Sequence, residues 1–148
     1  MFELKHIVIP IDGSPTSAKA GKAGVEFAGR VGAKVTVYYA VDPAPYGFYA
    51  EGAPADEPAM VALERRARQA GEKHVEAIAK AARAAGVPCT TVVEIAVPDE
   101  GIPAAARKRK CDAIFMGSHG RRGLKRLLLG SVTSRVLASA DRPVIVYR

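Results

Sequence analysis

The residues best suited to chemistry lie in a glycine-rich segment in the last quarter of the chain. Gly117 and Gly120 follow an apolar run, and Gly130 precedes Ser131 and Thr133. Glycines let backbone N–H groups approach a bulky anion without a Cβ in the way. If a helix begins after Gly130, its unpaired N–H groups and its dipole favour a phosphate. The segment therefore predicts a phosphate-binding site, with the Ser131 and Thr133 hydroxyls as further donors.

This segment differs from the two best-known phosphate-binding loops. Neither the P-loop pattern Gly-x-x-x-x-Gly-Lys-Ser/Thr nor the dinucleotide pattern Gly-x-Gly-x-x-Gly occurs in the chain. A second candidate is Asp12, which ends an apolar run and precedes Gly13 and Ser14. Asp12 could help to cap the next helix, but its place at a strand end favours a binding role. His119 is interpreted as a phosphate donor, whereas His6 and His74 are interpreted as structural.

These residues need a scaffold of alternating strands and helices to bring them together. Short β-branched runs predict five strands, at 5–11, 34–41, 87–95, 113–116 and 143–147. Ala-rich amphipathic segments predict helices at 15–31, 59–85, 99–110 and 131–140. The alternation predicts one Rossmann-like α/β domain over residues 1–148, an open parallel five-stranded sheet in the order 3-2-1-4-5 with helices on both faces. Ligands of such sheets bind where the strand order reverses, here beyond strands one and four.

Length and composition agree with one domain. The chain has 148 residues, 49% of them hydrophobic and 25% charged, which is typical of a globular protein. Its apolar stretches are far shorter than the roughly 20 residues that cross a bilayer. The first residues lack the pattern of a signal peptide, so we expect a cytoplasmic protein. Cys89 and Cys111 are interpreted as free thiols, without a metal site.

The net charge of +7 is concentrated in two basic clusters. A nucleic-acid-binding module is therefore an alternative function, but the two clusters are expected at opposite ends of the sheet and carry no aromatic stacking residues. A nucleotide-free structural dimer is a third possibility. Residues 42–58 are predicted to form a long loop, in which the roles of Tyr46, Phe48 and Tyr49 stay open. The clusters consist of Arg107, Lys108, Arg109 and Lys110, and of Arg121, Arg122, Lys125 and Arg126.

The spacing Gly117-x2-Gly120-x9-Gly130-Ser131 resembles the ATP-binding motif of the universal stress protein family. The likeness extends to Asp12-Gly13-Ser14, to Val41-Asp42 and to the closing Arg142-Pro143-Val144-Ile145-Val146. It implies an α/β fold that binds ATP or AMP, with any Mg²⁺ carried on the triphosphate, and that forms a homodimer. The apolar last strand is the expected dimer edge.

The resemblance also implies roles for individual residues, none of them catalytic or metal-binding. The implied function is that of an ATP-binding sensor or switch in the stress response, at most a slow ATPase. Adenine and ribose are expected at the strand ends, on Pro10, Ile11, Asp12, Val41 and Met116. The phosphates are expected on Gly117, His119, Gly120, Gly130, Ser131, Val132 and Thr133.

Overall fold

The computed structural model describes residues 1–44, 57–119 and 129–148. Within them, strands and helices alternate along the chain. The strands are β1 (His6–Ile11), β2 (Lys34–Val41), β3 (Cys89–Ile95), β4 (Ala113–Gly117) and β5 (Val144–Tyr147). The helices are α1 (Pro15–Val31), α2 (Glu57–Ala84), α3 (Pro98–Lys108) and α4 (Ser131–Ser139). Several predictions fall outside the described residues, namely those for Tyr46, Phe48, Tyr49, Gly120, Arg121, Arg122, Lys125 and Arg126.

The five strands form one parallel sheet in the order β3-β2-β1-β4-β5, which confirms the predicted topology. Helices α1 and α2 pack together on one face, and α3 and α4 on the other. The hydrophobic core therefore consists of two clusters, one on each face of the sheet. Ile7, Ile9 and Val37 belong to the cluster beneath α1 and α2, while Val8 and Tyr38 belong to the cluster beneath α3 and α4. The central strands are therefore apolar on both faces, as buried parallel strands require.

Most element bounds lie within one or two residues of the prediction. Helix α2 begins at Glu57 because Pro58 is tolerated in a first turn. Strand β3 begins at Cys89, not at residue 87, because the Val87 N–H donates to the Ala82 carbonyl and closes α2. Helix α3 ends at Lys108, because Lys110 takes the left-handed conformation, with φ 55°, in which glycine usually ends a helix.

Candidate functional site

The strand order reverses between β1 and β4, where a ligand crevice is expected at the carboxyl ends of the strands, and Pro10 explains where the pairing of the two strands stops. The Lys5 carbonyl accepts from β2, and the His6 carbonyl accepts from Asp112 beside β4, so residues 6, 8 and 10 face β4. The β1–β4 register is paired at Ile7–Ala113 and Val8–Ile114 and goes no further. Proline has no N–H to donate, so the next ladder bond toward β4 is lost at Pro10. The two strands can therefore separate at the point where the strand order reverses.

The turn after β1 holds the Asp12 carboxylate in place. Asp12 Oδ1 accepts a 2.9 Å hydrogen bond from the Ser14 N–H, and the Asp12 N–H donates to Ser17 Oγ at 2.9 Å. Ser14 is the N-cap of α1, and its Oγ accepts from the Ser17 N–H at 3.1 Å. Gly13 has φ +85°, a conformation that side chains rarely adopt. Asp12 therefore stabilises the turn while it stands at the mouth of the crevice.

Helix α4 begins on the other side of the crevice without a capping side chain. Its N-cap is Gly130, which makes no side-chain hydrogen bond, and no acidic residue lies in its first turn. The Gly130 N–H donates to the Ser118 carbonyl at 2.7 Å, which fixes the helix start against the end of β4. The N–H groups of a first turn have no partner within the helix. Ser131, Val132 and Thr133 thus present backbone donors that suit an anion.

The Thr133 side chain has a different partner from the one expected. Thr133 is only 3% exposed, and its Oγ1 donates to the Gly117 carbonyl at 2.8 Å. The hydroxyl proton is therefore used inside the protein, which corrects the expectation that it serves a phosphate. This bond ties the first turn of α4 to the end of β4. The exposed Ser131 keeps a hydroxyl that a phosphate can reach, and the Thr133 N–H remains part of the candidate site.

Ser118 organises the same region, although no motif in the sequence singled it out. Its N–H donates to the Tyr147 carbonyl at 2.8 Å, and its carbonyl accepts from Gly130. Its buried hydroxyl lies 2.8 Å from Nδ1 of His119. When the hydroxyl donates to Nδ1, a neutral ring carries its proton on Nε2 and can donate there. Ser118 therefore links β4, β5 and α4 and orients the predicted phosphate donor.

The remaining predicted residues line the strand ends with backbone rather than side chains. The side chains of Ile11 and Val41 belong to the core beneath α1 and α2, and that of Met116 to the core beneath α3 and α4. A Cβ at Gly117 would lie 3.2 Å from Cβ of Ala20, so α1 and β4 approach closely there. The predicted residues within the described ranges lie at or just after the ends of β1, β2 and β4 and at the start of α4, whereas Gly120 lies outside those ranges: Pro10, Ile11, Asp12, Val41, Met116, Gly117, His119, Gly130, Ser131, Val132 and Thr133.

The opposite end of the sheet holds His6 and the first basic cluster. The His6 Nε2 lies 2.7 Å from Thr36 Oγ1, which in turn lies 3.0 Å from Thr90 Oγ1. Burial lowers the pKa of His6, and the Lys34 charge lowers it further. His6 is thus a structural residue at the start of β1, as predicted. The first basic cluster lies at the end of α3 and in the connection to β4, far from the crevice. It consists of Arg107, Lys108, Arg109 and Lys110.

Metal-binding clusters and membrane-spanning helices are both absent from the part of the chain that the structure describes. Within residues 1–44, 57–119 and 129–148, no group of three or more histidine, cysteine, aspartate or glutamate residues could hold a metal ion. In the same ranges, no helix has the length and apolar character that a membrane span requires.

Comparison with known proteins identifies the family. The model of the universal stress protein family matches residues 3–148. The chain belongs to this family. It is 37% identical over 145 residues to the universal stress protein MJ0531 of Methanocaldococcus jannaschii, covering 97% of this chain and 82% of that one.

Solved structures of universal stress proteins share the fold. The structure of MJ0577, from the same organism, is 28% identical and superposes with a TM-score of 0.83, covering 97% of this chain and 94% of that one. A universal stress protein of Archaeoglobus fulgidus, solved in complex with dAMP, is 20% identical with a TM-score of 0.61 and covers 100% of both chains.

Proposed function

We propose that this universal stress protein binds an adenine nucleotide, ATP or AMP, in the crevice between β1 and β4. The observation that carries the proposal is the start of α4. It has no capping side chain and no acidic residue, and it is fixed to β4 by the Gly130–Ser118 and Thr133–Gly117 hydrogen bonds. A donor set that is held in place before the ligand arrives binds an anion at little cost in ordering.

The two sides of the crevice suit the two ends of a nucleotide. The phosphates lie against the N–H groups of Ser131, Val132 and Thr133, with His119 as a further donor. The ribose and adenine lie toward Asp12 and the backbone ends of β1 and β2, where a carboxylate can accept from hydroxyl groups. The Archaeoglobus protein with dAMP supports an adenine nucleotide as the ligand class for this fold. A cytoplasmic location, where adenine nucleotides are abundant, is part of the proposal.

Calorimetric titration tests the assignment. We expect ATP to bind with Kd of about 1 μM, or about −8 kcal/mol, and GTP to bind much more weakly. Protein purified without added nucleotide should also release an adenine nucleotide when it is denatured. Absence of ATP and AMP binding by the purified protein, with no nucleotide released, would refute the proposed function.

We further propose that the bound nucleotide acts as a conformational ligand and is hydrolysed slowly or not at all. Hydrolysis requires an oriented water and charge stabilisation in line with the leaving group. Residues 117–133 contain no aspartate or glutamate, so this segment has no carboxylate to hold Mg²⁺, which we expect to travel with the triphosphate. Several turnovers per second in the presence of magnesium, lost in a His119→Ala variant that still binds ATP, would identify an ATPase instead.

A homodimer through β5 completes the proposal, because the two edges of the sheet differ. All four residues of β5 are only half-buried in the single chain. At the other edge, the Arg68 guanidinium donates to the Val93 carbonyl of β3 at 3.4 Å, which occupies an edge acceptor. Exposed apolar edges pair with other strands. We expect light scattering to give the mass of a dimer, and a Val146→Lys variant to give a monomer with unchanged secondary structure.

A further inference from the structure

The imidazole of His74, on α2, covers Gly13 in the turn that holds Asp12. A Cβ built on Gly13 would lie 2.8 Å from Nε2 and 2.9 Å from Cδ2 of His74, so the ring fills the place of a side chain at Gly13. The ring also stacks on Tyr39 of β2, with 5.9 Å between centroids and 13° between planes. The His74 ring therefore stacks with one face on Tyr39, and its edge lies against Gly13 in the turn.

The turn gains from such a contact because glycine is its most adaptable residue. Gly13 can exchange between several backbone conformations at little cost, and each of them would point the neighbouring Asp12 carboxylate differently. The hydrogen bonds of Asp12 and Ser14 restrain the turn from within and from α1. His74 restrains it from a different helix, on the side of Gly13 where a Cβ would project.

We propose that His74 is a positioning residue of the nucleotide site, whose ring keeps the Gly13 turn in the conformation that directs Asp12 toward the nucleoside. This inference rests on the proposed binding of an adenine nucleotide. His74 acts through the turn and not by touching the phosphates, which lie across the crevice at α4. Its effect must therefore be the same for ligands with and without phosphates.

Calorimetry on three variants tests this role. His74→Ala should raise Kd about three- to tenfold for ATP, AMP and adenosine alike, because the turn becomes less ordered before binding. His74→Phe should restore the wild-type Kd, since the phenyl ring can stack on Tyr39 and cover Gly13. Lys73→Ala is the matched control on the same exposed stretch of α2 and should leave Kd unchanged. The melting temperature should change little, because the His74 side chain is exposed.

Three results would overturn the proposal. An unchanged Kd in His74→Ala would show that the ring does not affect the site. A loss confined to ATP would indicate direct contact with phosphates. Rescue by His74→Gln but not by His74→Phe would show that a polar contact, not the shape of the ring, is what the site uses.

A double-mutant cycle separates this inference from the proposed function, because it needs no nucleotide. Gly13→Ala should destabilise the protein through its positive φ and through a clash with the His74 ring. His74→Ala removes the clash but not the positive φ. We expect the double variant to be more stable in urea than the sum of the single changes allows. Additive effects would refute the contact, whether or not the wild-type protein binds ATP.

Discussion

Helices α1 and α4 begin on the two sides of one crevice, and their first turns are completed in opposite ways. The start of α1 is closed by its own chain, since Ser14 Oγ accepts from the Ser17 N–H and Pro15 has no N–H to satisfy. The start of α4 has only Gly130, which offers no side chain. Glycine in place of serine at an N-cap costs only a few tenths of a kcal/mol. The protein can therefore leave one helix start open for a ligand at almost no loss of stability.

Helix α3 shows that a missing cap is not sufficient for an anion site. Its N-cap is Val97, which has no capping side chain either, but Asp99 and Glu100 fill its first turn. Their negative charges complement the helix dipole themselves and repel an incoming phosphate. Among the starts of α1, α3 and α4, the last alone combines an open cap with a first turn free of acid.

The largest effect on ATP affinity should come from a substitution that caps the start of α4. Gly130→Asp supplies a carboxylate that accepts from the first-turn N–H groups and repels phosphate, so Kd for ATP should rise at least about 100-fold, or about 2.7 kcal/mol. Adenosine binding should suffer less. Gly130→Ser, an uncharged cap, should give an intermediate loss. Calorimetric binding of ATP to Gly130→Asp with the wild-type Kd would show that α4 does not bind the phosphates.

The next largest effect should come from breaking the hydrogen bond that holds α4 to the end of β4. Thr133→Val keeps the shape of the side chain but leaves the Gly117 carbonyl without its donor, so the free energy of unfolding should fall by about 1–3 kcal/mol. Because the first-turn N–H groups remain, ATP should still bind, with Kd raised only several-fold. Thr133→Ser should behave like the wild type in urea denaturation. A Thr133→Val variant as stable as the wild type would contradict the role of this bond.

Removing the cap of α1 should lower the stability of the protein without affecting nucleotide binding. Ser14→Ala removes the cap of α1 and should cost about 1 kcal/mol of unfolding free energy. Kd for ATP should stay within about twofold of wild type, since Asp12 still accepts from the residue 14 N–H. Ser14→Thr should restore stability. If Ser14→Ala impaired ATP binding as strongly as Gly130→Asp, the two helix starts would not differ in function.

The smallest effect tests the start of α3. The double change Asp99→Asn and Glu100→Gln removes two favourable interactions with the helix dipole and should lower stability by about 0.5–1 kcal/mol at low salt. The nucleotide stoichiometry measured by calorimetry should remain one per chain. Binding of a second ATP in this variant would show that the acids mask a site, which would extend the comparison from two helix starts to three.

The topology and the cap of α1 could be predicted because they depend on local patterns. Apolar runs predict the strands, right-handed crossovers restrict their order, and Ser14 before Pro15 is a recognisable helix start. The partner of the Thr133 hydroxyl could not be predicted, because it is a backbone carbonyl that packing alone brings near.

The role of His74 and the end of α3 could not be predicted from the sequence either. His74 meets Gly13 only once α2 lies on the sheet, and nothing in its local sequence distinguishes it from a surface histidine. The end of α3 was predicted two residues late, because Lys110 takes a conformation for which glycine is the usual signal. Pro10 was expected at the site only through the family resemblance, and its part in ending the β1–β4 ladder follows from the strand register.

The central position of β1 has a consequence for how the chain folds during synthesis. Asp112 accepts hydrogen bonds from the Lys5 and His6 N–H groups across separations of 107 and 106 residues. At about 5–20 residues per second, a ribosome takes roughly 5–20 s to add that length of chain. Until then the first strand to emerge can pair with β2 but has a bare edge toward β4, with Ile7 and Val8, both fully buried in the end, still exposed. Until β4 has been made, β1, the central strand of the finished sheet, is therefore an exposed edge strand, and the nascent protein is then most prone to aggregate.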